Sequence, residues 1–173
     1  MQDKYLKLKK FFDLYTAEFN LAKEKDQKNI QLKIDHSKRV TKDMEAITAE
    51  MPLSLDEKYL AKIIALYHDI GRFKQYKKYK TFSDYKSEDH GQLGLEVIKE
   101  NNLIDDLTEN EQNIILKAIK QHNKADLNRE IFNNEQEFLF ARLIRDADKL
   151  DIWRVVLNEY TAETTNGVVG LGL

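Results

Sequence analysis

Before residue 160 the chain contains one proline, Pro52, and three glycines, Gly71, Gly91 and Gly94. Sheets need turn residues every few positions, so this scarcity of breakers favours long helices. The apolar positions agree. Leu8, Phe11, Phe12, Tyr15 and Phe19 lie three and four apart within residues 3–22, the spacing of one helical face. The polar stretch Lys23–Asn29 separates this segment from a second helix, read from about Lys28 to Met51, with Val40, Met44, Ile47 and Met51 on its stripe. Pro52 ends it. Ser54 with Glu57 is spaced as a capping box and opens a helix carrying Tyr59 to Asp69. Thr108 with Glu111 opens another, and Asn134 with Glu137 opens the last long one. The stripe of that last helix is read as Phe138, Leu139, Leu143, Ala147, Leu150 and Trp153. The expected fold is all-α, one helical bundle spanning residues 1–173, with 161–173 as a flexible, glycine-rich tail.

The 173 residues suffice for one sizeable core and hardly for two. With 28 basic against 30 acidic side chains, no net field recruits nucleic acid or an anionic membrane. The absence of cysteine excludes disulfides and thiolate nucleophiles. Met1 to Lys10 is too charged for a signal peptide, and no run approaches the ~20 apolar residues of a membrane span. The expectation is a cytoplasmic protein without nucleic-acid or membrane partners.

The segment Leu66-Tyr67-His68-Asp69-Ile70-Gly71-Arg72 follows the apolar run Leu60, Ile63, Ile64, Ala65. His68 and Asp69 therefore point inward, and Gly71 is read as the left-handed stop of their helix. A buried carboxylate without a partner costs several kcal/mol or takes up a proton, and a cation removes that penalty. The other three histidines also fall on apolar stripes. His36 precedes Val40 by one turn; His90, in a helix resuming near Ser87, precedes Leu93 and Val97; His122 follows Ile115, Ala118 and Ile119. A single histidine on such a face is ordinarily a hydrogen-bonded core residue. Four of four argue for convergence on a metal, for which neutral imidazole is a favoured ligand.

A further carboxylate is sought in Arg145–Asp151. Asp146 stands beside Arg142 and Lys149, where a surface ion pair satisfies it. Asp148 lies between Ile144 and Ile152, on a face with Ala141 and Val155, and is read as the ligand. Asp146 and Asp151 are read as surface groups or as partners of the ligands. Residues 72–86 break the helical periodicity. Arg72–Lys80 holds five basic residues and no acid, interleaved with Phe73, Tyr76 and Tyr79.

His36 within His36-Ser37-Lys38-Arg39-Val40, the segment Leu66–Arg72, and Asp148 within Ala147-Asp148-Lys149-Leu150 resemble the HD-domain superfamily of metal-dependent phosphohydrolases over about residues 30–155. His90 and His122 are similar to the extra histidines of its two-metal subgroup. The resemblance implies a helical bundle of the HD-domain type and one or two divalent ions (Mn, Fe, Co, Ni, Zn or Mg). One ion would take His36, His68, Asp69 and Asp148; a second would take His90 and His122, with Asp69 bridging. It implies hydrolysis of a small phosphorylated substrate, a nucleotide for preference. Asp69, Arg72 and Lys149 are the expected catalytic residues, and Arg72, Lys77, Lys78 and Tyr76 the expected substrate contacts. The leaving-group proton could come from Asp146, Lys149 or Asp151, among which the sequence does not choose. Relatives of the fold that hold two irons and use dioxygen supply a second reading, and a non-catalytic metal-binding signalling module a third. Gly-x-Ser-x-Gly, phosphate-loop and His-Glu-x-x-His patterns are absent, and Gly167, Gly170 and Gly172 do not have dinucleotide spacing.

Overall fold

The computed structural model describes residues 1–19 and 23–165. Seven α-helices are found among them: α1 (Gln2–Ala17), α2 (Glu24–Ala49), α3 (Leu55–Tyr67), α4 (Gly71–Tyr79), α5 (His90–Glu100), α6 (Glu109–Gln121) and α7 (Glu135–Thr165). There is no strand among the described residues, so the fold is all-α, a helical bundle. Of the tail expected over 161–173, residues 161–165 instead continue α7, and 166–173 lie outside the described residues.

Local chemistry sets the helix ends. Ser54 and Glu57 form the reciprocal capping box of α3, and Thr108 and Glu111 that of α6. Asn134 Oδ1 accepts from Glu137 N at 2.8 Å where α7 begins. The side chain of Asp89 accepts from Gly91 N and Gln92 N, so α5 starts at His90 rather than near Ser87. Lys80, at φ 55°, closes α4 in the left-handed conformation.

Three expectations are corrected here. α2 begins at Glu24, so most of the polar stretch Lys23–Asn29 is helical rather than a break. Residues 71–79 are helical, although the sequence shows no single apolar stripe there: Phe73, Gln75 and Tyr76 are buried together, and the polar Gln75 hides the periodicity. Gly71 is not a left-handed stop but the first residue of α4, and its backbone lies outside the positive-φ region. A Cβ there would stand 2.1 Å from the carbonyl oxygen of His90 and 2.5 Å from Gly94 N. Glycine is required because α4 and α5 meet backbone to backbone. That approach brings His90 against the corner where α3 gives way to α4.

One apolar cluster runs through the bundle, with Phe12 of α1, Val40 and Met44 of α2, Ile63 and Ile64 of α3, Phe73 of α4, Ile115 and Ile119 of α6, and Phe140 and Ile144 of α7. The buried stripe of α7 differs from the expected one. Leu143 and Ala147 are buried, but Leu150 is 47 % and Trp153 63 % exposed. The inward face runs through Glu137, Phe140, Ala141, Ile144, Ala147 and Asp151, so it is continued by a carboxylate where the sequence suggested an apolar side chain. No helix among the described residues is long and apolar enough to cross a membrane.

Candidate metal centre

Six side chains from five parts of the bundle meet in one place. His36 comes from the middle of α2, His68 and Asp69 from the α3–α4 corner, His90 from the first position of α5, His122 from the end of α6, and Asp148 from α7. All four histidines and Asp69 are buried, and the side chain of Asp148 is 21 % exposed.

The histidine tautomers follow from their partners. His68 Nδ1 is 2.7 Å from the carbonyl of Ala65, and His122 Nδ1 is 2.6 Å from that of Ile119. A carbonyl only accepts, so both Nδ1 atoms carry a proton, and in the neutral ring the lone pair is left on Nε2. The same device serves at both helix ends, where each ring satisfies an orphan carbonyl three residues back. His36 Nδ1 lies 2.7 Å from Asp151 Oδ2, and His90 Nδ1 lies 2.7 Å from Asp84 Oδ2. Carboxylates there favour the same tautomer and orient the rings.

Every Nε2 is thereby turned into one space. The Nε2 atoms of His36 and His68 are 3.2 Å apart, and those of His90 and His122 2.9 Å apart. Asp69 stands between the pairs. Its Oδ2 is 3.6 Å and 3.9 Å from the Nε2 atoms of His36 and His68. Its Oδ1 is 3.2 Å and 3.6 Å from those of His90 and His122. Asp148 Oδ1 joins the first pair, 3.1 Å from His36 Nε2 and 3.7 Å from His68 Nε2. Nε2 atoms this close need a proton or a metal ion between them, and a set of four imidazoles and two carboxylates fits divalent ions. The groups His36–His68–Asp69 and Asp69–His90–His122 each have ligand atoms within 4.8 Å of one another.

The electrostatics are those of a site prepared for positive charge. Burial alone would raise the pKa of Asp69, but Lys33, His68, His122 and His90 overcome it and hold the carboxyl well below the usual range. Asp148 is also held low, against burial, by His36 and His68. Burial works against a charge on His36, yet Asp148, Asp69 and Asp151 outweigh it and raise its pKa. Burial lowers that of His122.

The surrounding groups are fixed in turn. Asp151 is 1 % exposed and accepts from Arg39 Nε at 2.6 Å, Arg39 Nη2 at 2.9 Å and Arg154 Nη1 at 2.9 Å, besides its bond with His36. Asp84 accepts from Arg72 at 2.9 Å, Gln75 at 2.8 Å and Asn123 at 3.1 Å. A cavity of about 240 Å³ opens here, lined by Lys33, Arg72, Asn123 and Ile152 besides His36, Asp69, His90, His122 and Asp148.

The remaining expected residues are distributed unevenly. Arg72 lines the cavity but is spoken for by Asp69, Gln75, Asp84 and the carbonyl of Phe82. Tyr76 is buried, its hydroxyl donating to Asp26 at 3.0 Å and accepting from Asn29 at 2.6 Å, so its ring is not open to a substrate. Lys77 is exposed, over the ring of Phe19, and Lys78 is exposed and paired with Glu88. Neither lines the cavity, because the helical turn of α4 carries both away from Arg72. Asp146 and Lys149 are exposed on α7. Sequence reasoning passed over Lys33, Asp84 and Asn123. Lys33 precedes His36 by three residues, one helical turn, and that spacing was a usable signal. Asp84 lies in a short 3₁₀ turn, Asp84–Lys86, where no periodicity points to it.

Searches among curated proteins and solved structures return no match. Comparison with protein-family models matches the HD domain over residues 34–153, a span that begins just before His36 and ends just after Asp151. The chain belongs to the HD domain family.

Proposed function

We propose that this protein is a metal-dependent phosphohydrolase holding two divalent ions and acting on a small phosphorylated substrate, with nucleotides the first class to test. One observation carries the reading: each oxygen of Asp69 faces its own pair of histidine Nε2 atoms, while all four Nδ1 atoms are engaged elsewhere. His36, His68, Asp148 and Asp69 Oδ2 would hold one ion; His90, His122 and Asp69 Oδ1 would hold the other. Bound divalent ions supply Lewis acidity at a phosphoryl group and lower the pKa of water. Asp151 and Asp84 keep His36 and His90 as ligands by holding their Nδ1 protons. Arg72, clamped between Asp69 and Asp84, fixes both carboxylates and adds positive charge to the cavity wall. Hydrolysis then joins a water oxygen to phosphorus as the bridging P–O bond breaks, and needs no side-chain nucleophile.

The test is phosphate release across mono-, di- and triphosphate nucleotides, dinucleoside polyphosphates and cyclic nucleotides, with added manganese, cobalt, nickel or iron. At least one class should turn over with metal, and neither a chelated sample nor Asp69→Ala should release phosphate. Absence of release from every class, together with oxygen uptake by the iron-loaded protein, would replace this reading with that of an oxygenase.

A further inference from the structure

The cavity wall carries two basic side chains, Lys33 and Arg72. Arg72 is held by four acceptors and has little freedom to turn. Lys33 is different. Its ammonium has three donors, and its hydrogen-bond partner is Asp69 Oδ2, at 3.0 Å. The ammonium also lies over the ring of Phe82, 5.4 Å from its centroid, and the side chain is 17 % exposed. Asp69 Oδ2 is the oxygen that faces His36 and His68. The ammonium therefore lies at the edge of the first ion's place and supplies the positive charge that this buried carboxylate needs.

A divalent ion sits about 2.1 Å from a carboxylate oxygen, so one bound to Oδ2 would come within roughly 5 Å of an ammonium left where it is. Like charges at that separation in a buried site repel strongly, and the flexible four-carbon stem lets lysine yield. Resting on the two-ion reading above, we propose that Lys33 neutralises Asp69 until the first ion arrives, then turns its ammonium into the cavity to hold the substrate's phosphate, so that the site loads metal before anion. With Lys33 on Asp69 the cavity offers an anion little uncompensated charge. With the ion in place, the displaced ammonium is free beside it.

A lysine that merely held Asp69 in position would weaken metal binding when removed, whereas a competing lysine strengthens it. The experiment uses the full chain as wild type, Lys33→Met and Lys33→Gln, the glutamine variant repeating every measurement should the methionine variant fold poorly. Mn(II) affinity is read from the free-ion paramagnetic resonance signal, and inorganic phosphate binding from calorimetry on metal-free and Mn(II)-loaded protein. Wild type should bind phosphate after loading and not before. The variants should bind Mn(II) roughly tenfold more tightly, because a competing charge is gone. Once loaded they should bind phosphate at least about tenfold more weakly, and Lys33→Arg should restore that binding. Mn(II) affinity that falls or stays the same in both variants, or loaded variants that bind phosphate as wild type does, would overturn the proposal. A wild-type protein that takes up no Mn(II) would instead overturn the two-ion reading beneath it.

Discussion

A carboxylate buried to the extent of Asp69, 3 % exposed, is tolerated only where its charge is answered from several sides. Lys33, Arg72 and four imidazoles surround it, and removing any of them changes what the others must do. The two aspartates of α7 divide the work around His36: Asp148 faces its Nε2, and Asp151 holds its Nδ1. Asp151→Asn should therefore lower metal affinity at the His36 pair by about 10–100-fold, the usual cost of losing an orienting carboxylate. Calorimetric titration with Mn(II) checks this, and affinity equal to wild type would mean that Arg39 and the helix alone orient the ring. Asp148→Asn should be far more damaging than Asp146→Asn, because Asp146 is exposed. Equal losses in metal content would contradict the assignment. The apolar face expected around Asp148 is present on one side of it only. Ala141 and Ile144 are buried beside it, but Ile152 and Val155 are 51 % and 39 % exposed, so the inward face ends near this residue.

At the scale of elements, Gly71 and Glu137 each fix how two helices meet. Gly71→Ala would press a methyl group into the backbone of α5, which overpacking data put at about 1–3 kcal/mol or more. Urea unfolding should show that loss, and metal affinity should fall with it because His90 rides on α5. Unchanged stability would mean that α4 and α5 slide apart freely. Glu137 ties the start of α7 to α6, accepting from Asn133 N at 2.6 Å and from Lys117 at 2.7 Å. Burial opposes its charge, but Lys117 and Asn133 prevail and hold its pKa below the usual 4.5. A carboxylate depressed in the folded state contributes stability above its unfolded pKa and loses it as pH falls through the folded value. Glu137→Gln should therefore cost about 1–3 kcal/mol at pH 7, and the gap from wild type should shrink below about pH 4.5. A gap independent of pH would rule out the charge as its source.

These two elements also show what the sequence makes legible. Capping boxes at Ser54 and Thr108 and the stripes of α2, α3 and α6 follow from local rules, and the structure keeps them. The four histidines could be placed because each rides on such a stripe. Gly71 and α4 could not, since both depend on how closely α5 approaches, a tertiary distance that no local spacing encodes. Asp84 was hidden for the same reason: it is brought to His90 by a non-helical turn.

Across the whole molecule, five elements converge on one carboxylate, so the bundle and the proposed metal centre should stabilise each other. A ligand that binds the folded chain and not the unfolded one adds about 2.7 kcal/mol at a hundredfold excess over its Kd. Saturating Mn(II) should accordingly raise the Tm, and Asp69→Ala should abolish the increase. The central claim is that Asp69 bridges two ions, and the most direct measurement is the number of ions bound per chain in wild type, His90→Ala and His122→Ala. Metal analysis of the purified, Mn(II)-saturated proteins should give about two ions for wild type and one for each histidine variant, because His36, His68, Asp69 and Asp148 still enclose the first. A wild-type protein that saturates at one ion, with both variants holding as much metal as it does, would contradict the account.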